Sequence, residues 1–338
     1  MLPLLALACG SDDDRGEPTA PWQVVQDGLP GALLSVWGSS ADDVWAVGAD
    51  AGDGDGPTVL HLESGRWSRL ETGQSGDLWW VHGFAGGPLF MGGSGGTILR
   101  YDESGGAGPS FTRLSTPGTG VVFGVWGSSP DQMWAVGGEA GGASGAFAWR
   151  LDGDTWSPAP GFPSELTANE ALWKVFGRGP DDVWMVGTDG TMLHWDGATL
   201  SPAFAGIAES LFTVHGNSQR FAAVGGFGTG LLLEHPVGAP ASDPWVNASP
   251  SGASSIIGVC LTEDGGHAVG EFGYVAERGS SGWATEQTGL DAVFGVRSLH
   301  SVWIDPDGGV WSAGGEVRVP PLVNGILVHR GEAVPAGF

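Results

Sequence analysis

Lysine is nearly absent from this sequence, which contains a single one, Lys174, among 338 residues. Lysine and arginine together number 13 against 38 aspartates and glutamates, and the formal net charge is −25. Binding to nucleic acid or to an anionic membrane surface requires clustered basic side chains. The composition therefore excludes nucleic acid as a partner and excludes charge-driven membrane binding. It favours cationic partners or metal ions.

Cysteine and tyrosine are also scarce, with two residues of each. Cys9 and Cys260 cannot form a disulfide framework, and the apolar segment 255–261 around Cys260 predicts a buried thiol. Sialidase chemistry needs a tyrosine beside an arginine cluster, and a copper site of the galactose-oxidase kind needs two tyrosines and two histidines that converge. Tyr101 and Tyr274 fit neither pattern. We therefore predict no catalytic residue.

Helical periodicity is missing as well, since no long stretch repeats its apolar residues every three to four positions. The 62 glycines and 22 prolines alone would suggest disorder. However, 17 tryptophans and 14 phenylalanines supply the apolar surface that disordered chains lack. The glycines also recur at regular intervals, as turns between strands require. This combination predicts an all-β protein.

One motif recurs seven times along the chain. The clearest copies are VWGSSADDVWAVG at 36–48, VWGSSPDQMWAVG at 125–137 and VFGRGPDDVWMVG at 175–187. More divergent copies lie at 81–92, 214–225, 259–270 and 302–314. The closing glycines are Gly48, Gly92, Gly137, Gly187, Gly225, Gly270 and Gly314. A repeat of this length with four short apolar segments predicts one four-stranded propeller blade per copy, whose strands we call a, b, c and d in chain order.

The ends of the chain complete this pattern. In the first six copies an aromatic or apolar residue marks the fourth strand, and in four of them the next strand-a valine follows 14 residues later. The seventh copy has no such marker, but Trp22 lies 14 residues before Val36. We therefore predict a single seven-bladed β-propeller in which strand 21–26 completes the last blade, leaving no free edge between the first and last blades.

The repeat resembles those of secreted bacterial propellers, often myxobacterial lipoproteins, and is more loosely similar to kelch and sialidase-type (BNR) repeats. The resemblance rests on 175–187 together with the segment MLHWDG at 192–197, and it extends from Trp22 to about Arg330. It implies the propeller fold and an exported protein, but no particular activity, since propellers serve as enzymes, scaffolds and binding modules.

The N-terminal sequence suggests how the protein is attached to a membrane. An apolar run, MLPLLALA, ends in small residues directly before Cys9, and a polar segment follows. This resembles a bacterial lipoprotein signal that ends at Cys9, although the run is short and lacks a basic start. We expect lipidation of Cys9, a flexible tether over 10–21, a propeller over 22–338 and a location at the cell envelope. An ordinary hydrophobic N-terminus with an incidental cysteine is the alternative.

Two groups of residues are candidate metal ligands. His61, His194 and His329 occupy equivalent strand-c positions on different blades, so they cannot converge on one ion, and we expect them to be solvated. Asp50, Asp53 and Asp55 lie close together with intervening glycines and are a weak Ca²⁺ candidate. A solvated acidic turn is the alternative for this segment.

Recognition is expected on the face formed by the b–c and d–a loops, because these loops vary in length while the a–b turns are uniform. The acidic residues assigned to this face are Asp50, Asp53, Asp55, Glu139, Glu165, Glu170, Glu271, Glu286 and Glu316. They predict a cationic or Ca²⁺-bridged partner, protein or glycan, bound by a monomer. A carbohydrate-active enzyme at the central channel and a periplasmic assembly factor are the alternative functions.

Overall fold

The computed structural model describes residues 21–103, 109–139, 145–166 and 170–332, together with 334, 335 and 337. Its 28 strands form seven four-stranded antiparallel sheets, the blades of a ring. The first strand of the described residues is β1 (Trp22–Gly31). Blade 1 is formed by β2 (Leu33–Ser40), β3 (Asp43–Asp50), β4 (Pro57–Glu63) and β5 (Arg66–Arg69).

The next three blades follow in chain order. Blade 2 comprises β6 (Leu78–Gly83), β7 (Leu89–Gly93), β8 (Ile98–Asp102) and β9 (Ser110–Arg113). Blade 3 comprises β10 (Val122–Ser129), β11 (Gln132–Gly137), β12 (Phe147–Asp152) and β13 (Thr155–Pro158). Blade 4 comprises β14 (Leu172–Gly179), β15 (Asp182–Gly187), β16 (Thr191–Trp195) and β17 (Leu200–Phe204).

The remaining blades complete the ring. Blade 5 comprises β18 (Leu211–Gly216), β19 (Arg220–Gly225), β20 (Leu231–Pro236) and β21 (Val246–Asn247). Blade 6 comprises β22 (Ile256–Leu261), β23 (Gly266–Gly270), β24 (Val275–Gly279) and β25 (Gly282–Glu286). Blade 7 comprises β26 (Ser298–Ile304), β27 (Val310–Glu316), β28 (Val323–Arg330) and, as its outer strand, β1.

Helical structure in the described residues is limited to single turns. One α-helical turn, α1 (Asp291–Phe294), follows blade 6, and 3₁₀ turns connect strands b and c in blades 2, 4 and 6 at Ser94–Gly96, Thr188–Gly190 and Glu271–Gly273. No helix among residues 21–335 that the structure describes has the length and hydrophobicity of a membrane span.

The predicted closure through Trp22 is confirmed. β1 pairs antiparallel with β28, with Trp22 opposite Arg330 and Val24 opposite Val328. Trp22 is buried between blades 6 and 7, and its Nε1–H donates to Glu286 at 2.8 Å. The strand nearest the N-terminus therefore completes the blade nearest the C-terminus.

The closing glycine of each blade marks a close approach between strands b and a. A Cβ atom on this glycine would lie between 1.9 and 2.3 Å from a backbone oxygen at the start of strand a, which belongs to the residue before the strand in six blades and to its first residue, Ser298, in blade 7. The seven positions are Gly48, Gly93, Gly137, Gly187, Gly225, Gly270 and Gly314. In blade 2 the register pairs Leu78 with Gly93, so the prediction of Gly92 at this position was wrong by one residue.

The core is built between the blades, where aromatic side chains of one blade cover glycines of its neighbour. Trp37 packs over Gly83, and Trp126 packs over Gly177. A Cβ on Gly177 would lie 2.5 Å from the Trp126 ring. The tryptophan of one blade is therefore complementary to the glycine of the next at these positions, and Trp303 of blade 7 packs over Gly38 of blade 1 in the same way.

The strand-c histidines belong to this core, and the expectation that they are solvated was wrong. His61 Nε2 lies 2.8 Å from Asp43, which also accepts a hydrogen bond from Trp45 Nε1 at 3.0 Å, and the two rings stack at 3.8 Å. Blade 4 repeats this arrangement with His194. In blade 7 Trp311 Nε1 donates to Asp305 at 3.1 Å and the Trp311 ring packs against His329, but His329 Nε2 lies 4.0 Å from Asp305. Only 6% of His61 and 2% of His329 are exposed, because the tryptophan and the adjacent blade cover them.

Candidate functional site

Every inner strand carries a β-bulge near its start. The pairing register shifts by one residue there, between Leu78 and Trp80 in blade 2 and at the equivalent place in the other six blades. The side chains of a regular strand point alternately to its two faces, and the extra residue of a bulge departs from this alternation. The bulged residues form what we call the mouth ring: Leu34, Trp79, Phe123, Trp173, Phe212, Ile257 and His300.

Six members of the mouth ring, all except Leu34, line a cavity of about 360 Å³ in the central channel. Three aromatic members form a continuous arc, with ring centroids 5.0 Å apart for Trp79 and Phe123 and 4.6 Å apart for Phe123 and Trp173. Strand a begins where the d–a loop ends, so the mouth ring lies on the predicted recognition face, which we call the upper face.

Large apolar side chains are also exposed on the loops around this cavity. Phe227, which is 75% exposed, lines the cavity and contacts Phe212 with ring centroids 5.1 Å apart. Phe272 and Val319 lie on the b–c loops of blades 6 and 7 and are 51% and 73% exposed. An apolar channel mouth continued by exposed apolar loops is typical of an interaction surface.

Phe272 is held in a strained conformation. Its φ of 57° and ψ of 33° lie in the left-handed region, where the equivalent turns of blades 2 and 4 carry Gly95 and Asp189. A bulky residue there costs on the order of 1–2 kcal/mol relative to the ordinary conformations. Because half of the side chain is exposed, burial does not compensate this cost.

Polar side chains also line part of the upper cavity. Glu271 lies 3.2 Å from the Arg318 guanidinium, and Trp173 Nε1 has no hydrogen-bond partner among the described residues. His300 Nδ1 donates to the Leu34 carbonyl at 2.6 Å, and burial lowers the pKa of His300 to about 3. His300 is therefore a neutral ring at physiological pH.

A second cavity of about 300 Å³ lies further down the channel. The side chains that follow the strand-a valines line it, among them Trp37, His82, His215 and Cys260. Burial lowers the pKa of both His82 and His215 to about 4 and raises the pKa of the Cys260 thiol to about 11. The prediction that Cys260 is buried is confirmed.

The predicted calcium ligands are engaged by other groups. Asp50 accepts hydrogen bonds from the backbone amides of Gly52 and Gly76, both at 2.8 Å. Arg69 Nη1 lies 3.8 Å from Asp53 and 3.5 Å from Asp55. The structure does not bring the three carboxylates together around one point, and calcium binding by this loop stays a prediction.

The other acidic residues do not form one cluster. Glu139, Glu165 and Glu170 lie in the upper-face loops of blades 3 and 4, and Glu316 ends β27, where it accepts a hydrogen bond from Asn324. Of the nine predicted residues, Glu271 lines the upper cavity. A glycosidase needs a pair of carboxylates across its substrate, and the residues lining the two cavities include this one carboxylate only.

Glu286 was expected in a d–a loop, but it is the last residue of β25. Arg330 Nη1 lies 2.8 Å from Glu286, and the same guanidinium lies 3.2 Å from Glu277. Burial raises the pKa of Glu286, but contacts with His267, Trp22 and Arg330 outweigh burial and lower it to about 2. Glu286 therefore links blades 6 and 7 instead of facing a partner.

His267, Glu277 and Glu286 are the group of three potential metal ligands that converges in the described residues. His267 Nε2 lies 3.8 Å from Glu277 and 3.6 Å from Glu286. Because Arg330 and Trp22 already bind these carboxylates, the geometry supports an ion-pair network more strongly than a metal site.

Sequence reasoning missed the mouth ring. Its members always lie two residues before the strand-a valine, and the aromatic residues at this position were visible in the repeat alignment. They were not recognised because side chains of a regular strand alternate between its two faces, which would point these residues at a neighbouring blade. Only the bulge turns them into the channel.

Comparisons with known proteins support the class of fold. A scan against protein-family models found no match, and a search of curated proteins also found none. Among solved structures, the WD40 β-propeller domain of Doa1 is 12% identical over 94% of this chain and 99% of the other, with a TM-score of 0.67.

Two further structures are of YCF48. YCF48 bound to D1 peptide is 16% identical over 94% of this chain and 99% of the other, with a TM-score of 0.65. YCF48 from Cyanidioschyzon merolae is 15% identical over 92% and 98%, with a TM-score of 0.65. At these identities the likeness concerns the fold: the protein is a seven-bladed β-propeller of four-stranded blades.

Proposed function

We propose that this propeller is a protein-binding module that captures a peptide segment on its upper face and inserts an apolar side chain of that segment into the channel mouth. The mouth ring is the observation that carries the proposal. Five aromatic or aliphatic members of this ring line one cavity. Packing within the propeller does not require them to face an open channel.

Three observations support a peptide as the ligand. Trp173 Nε1 is a buried donor without a partner, which a peptide carbonyl could satisfy. The net charge of −25 favours basic residues beside the inserted side chain. YCF48, which shares the fold, has been seen bound to a peptide. Peptide binding of this kind is compatible with the function of a scaffold and with that of an assembly factor.

Replacing Phe272 with glycine is expected to change stability and peptide affinity in opposite directions. Glycine tolerates the left-handed conformation, so we expect Phe272→Gly to raise the free energy of unfolding by about 0.5–1 kcal/mol. Because the phenyl group is lost from the upper face, we expect the same variant to bind at least about 5-fold more weakly. The probe is a basic aromatic peptide selected from a random dodecamer phage library on the wild-type protein, with affinity measured by fluorescence anisotropy.

The matched control is Phe204→Ala, which removes a phenyl group that is 58% exposed on the outer strand of blade 4. Affinity should be unchanged in this variant and should fall in Trp173→Phe, which keeps an aromatic ring but loses the unpaired donor. Peptides that bind equally well to Phe272→Gly and to Trp173→Phe would show that recognition occurs elsewhere.

We further propose that the protein is exported and anchored to the cell envelope by a lipid on Cys9, which lies outside the described residues. The lipoprotein-like sequence before Cys9 is the support for this. In cells that express the gene, Cys9→Ala should move the protein from the membrane fraction to the soluble fraction. A wild-type protein that is already soluble would contradict the anchor.

A further inference from the structure

The only lysine of the chain lies at the centre of the channel. Lys174 is 4% exposed, directly follows the bulged residue Trp173, and lines both the upper and the lower cavity. Its Nζ donates to the Phe123 carbonyl at 3.0 Å and lies 4.3 Å from the centroid of the Trp80 ring. The ammonium group of Lys174 therefore has one hydrogen-bond acceptor and an aromatic face as its surroundings.

Lys174 has no carboxylate within 4.0 Å among the residues that the structure describes. The titratable side chains that share its two cavities are His300, His82, His215, Cys260 and the Glu271–Arg318 pair. Arg318 already neutralises Glu271 at 3.2 Å. Burial lowers the pKa of Lys174 to about 7, so a large fraction of this amine is uncharged at neutral pH.

The polar groups around Lys174 indicate whether its ligand is a carboxylate or a carbonyl compound. A bound carboxylate would need further donors, but the Thr213 hydroxyl donates to the Ile257 carbonyl at 2.7 Å and the Ser255 hydroxyl donates to the Gly226 carbonyl. A carbonyl carbon needs only an uncharged amine within reach. A lysine desolvated in an apolar pocket is the usual form of an amine nucleophile.

We infer that Lys174 is a nucleophilic amine that forms imines with aldehydes whose apolar body enters the channel mouth. The Nζ lone pair attacks the carbonyl carbon, and the carbonyl oxygen takes up a proton to give a carbinolamine. Loss of this oxygen as water leaves a C=N bond between the aldehyde carbon and Nζ. The sum is one amine and one aldehyde giving one imine and one water, with no change of oxidation state.

Reductive trapping with benzaldehyde and sodium cyanoborohydride tests this inference. Peptide mass mapping assigns the benzyl adduct without ambiguity, because no other lysine exists in the chain. At pH 7 we expect Lys174 to be labelled at least about 10-fold faster in the native protein than in guanidinium chloride. An ordinary lysine with its usual pKa has an uncharged fraction about 10³-fold smaller at this pH than an amine that titrates near pH 7.

The pH dependence provides a second measurement on the native protein. The labelling rate should rise to half its maximum near pH 7, whereas an ordinary lysine gives a midpoint above pH 10. Labelling that is faster after unfolding, or a native midpoint near pH 10, would overturn the inference. The result is independent of peptide capture, since benzaldehyde labelling requires neither Phe272 nor a bound peptide.

Discussion

Deletion of residues 1–31, which removes β1, is expected to lower the free energy of unfolding by about 5 kcal/mol or more. Trp22, Val25 and Leu29 of this strand are between 3% and 8% exposed, and burial of each such side chain contributes roughly 1.5–3 kcal/mol. The deletion also exposes the unpaired edge of β28. Chemical denaturation followed by circular dichroism measures the change.

Deletion of residues 1–20 is the matched control, because it leaves β1 and every described contact in place. Its denaturation midpoint should equal that of the full chain. If the shorter and the longer deletion unfold at the same denaturant concentration, β1 contributes nothing to closure. A single change, Trp22→Ala, should reproduce about 3–5 kcal/mol of the loss by leaving a cavity between blades 6 and 7.

Substitution of one closing glycine should have an effect of similar size. In Gly225→Ala the new Cβ would lie 2.0 Å from the Ser210 carbonyl oxygen and 2.8 Å from Leu211 Cα. Both atoms belong to the backbone, so no side-chain rotation can relieve the contact, and strands a and b of blade 5 must separate. We expect a loss of about 3 kcal/mol in the free energy of unfolding.

Gly279→Ala is the control, since a Cβ on this strand glycine would meet no atom within 4 Å. This variant should unfold within about 0.5 kcal/mol of the wild type. Equal stabilities for Gly225→Ala and Gly279→Ala would mean that the backbone of blade 5 adapts freely. The recurrence of glycine at this position would then need another explanation.

The architecture was predictable because it depends on spacing. Seven copies of a motif predict seven blades, and the 14 residues between Trp22 and Val36 located the closing strand without any three-dimensional information. The environment of single side chains was not predictable. The burial of His61 depends on the tryptophan on the neighbouring strand, and the ion pair of Glu286 depends on Arg330 in another blade.

The site was predicted only as a face. Loop lengths identified the face of the ring on which recognition is expected. On that face the sequence analysis favoured acidic loop residues over the aromatic side chains of the inner strands. The difference arises at the bulges, where one additional residue decides whether Trp79 or Trp173 faces a neighbouring blade or the channel. A repeat alignment shows which residues are equivalent, but it does not show their direction.

The closure by β1 also determines the side of the ring at which the chain enters the propeller. Trp22 pairs with Arg330, the last residue of β28, so the chain enters the propeller from the side of the c–d turns. This side is opposite to the channel mouth with its aromatic lining. An attachment through residues that precede Trp22 would therefore join the propeller on the side away from the mouth, so that it would not cross the surface on which a ligand binds.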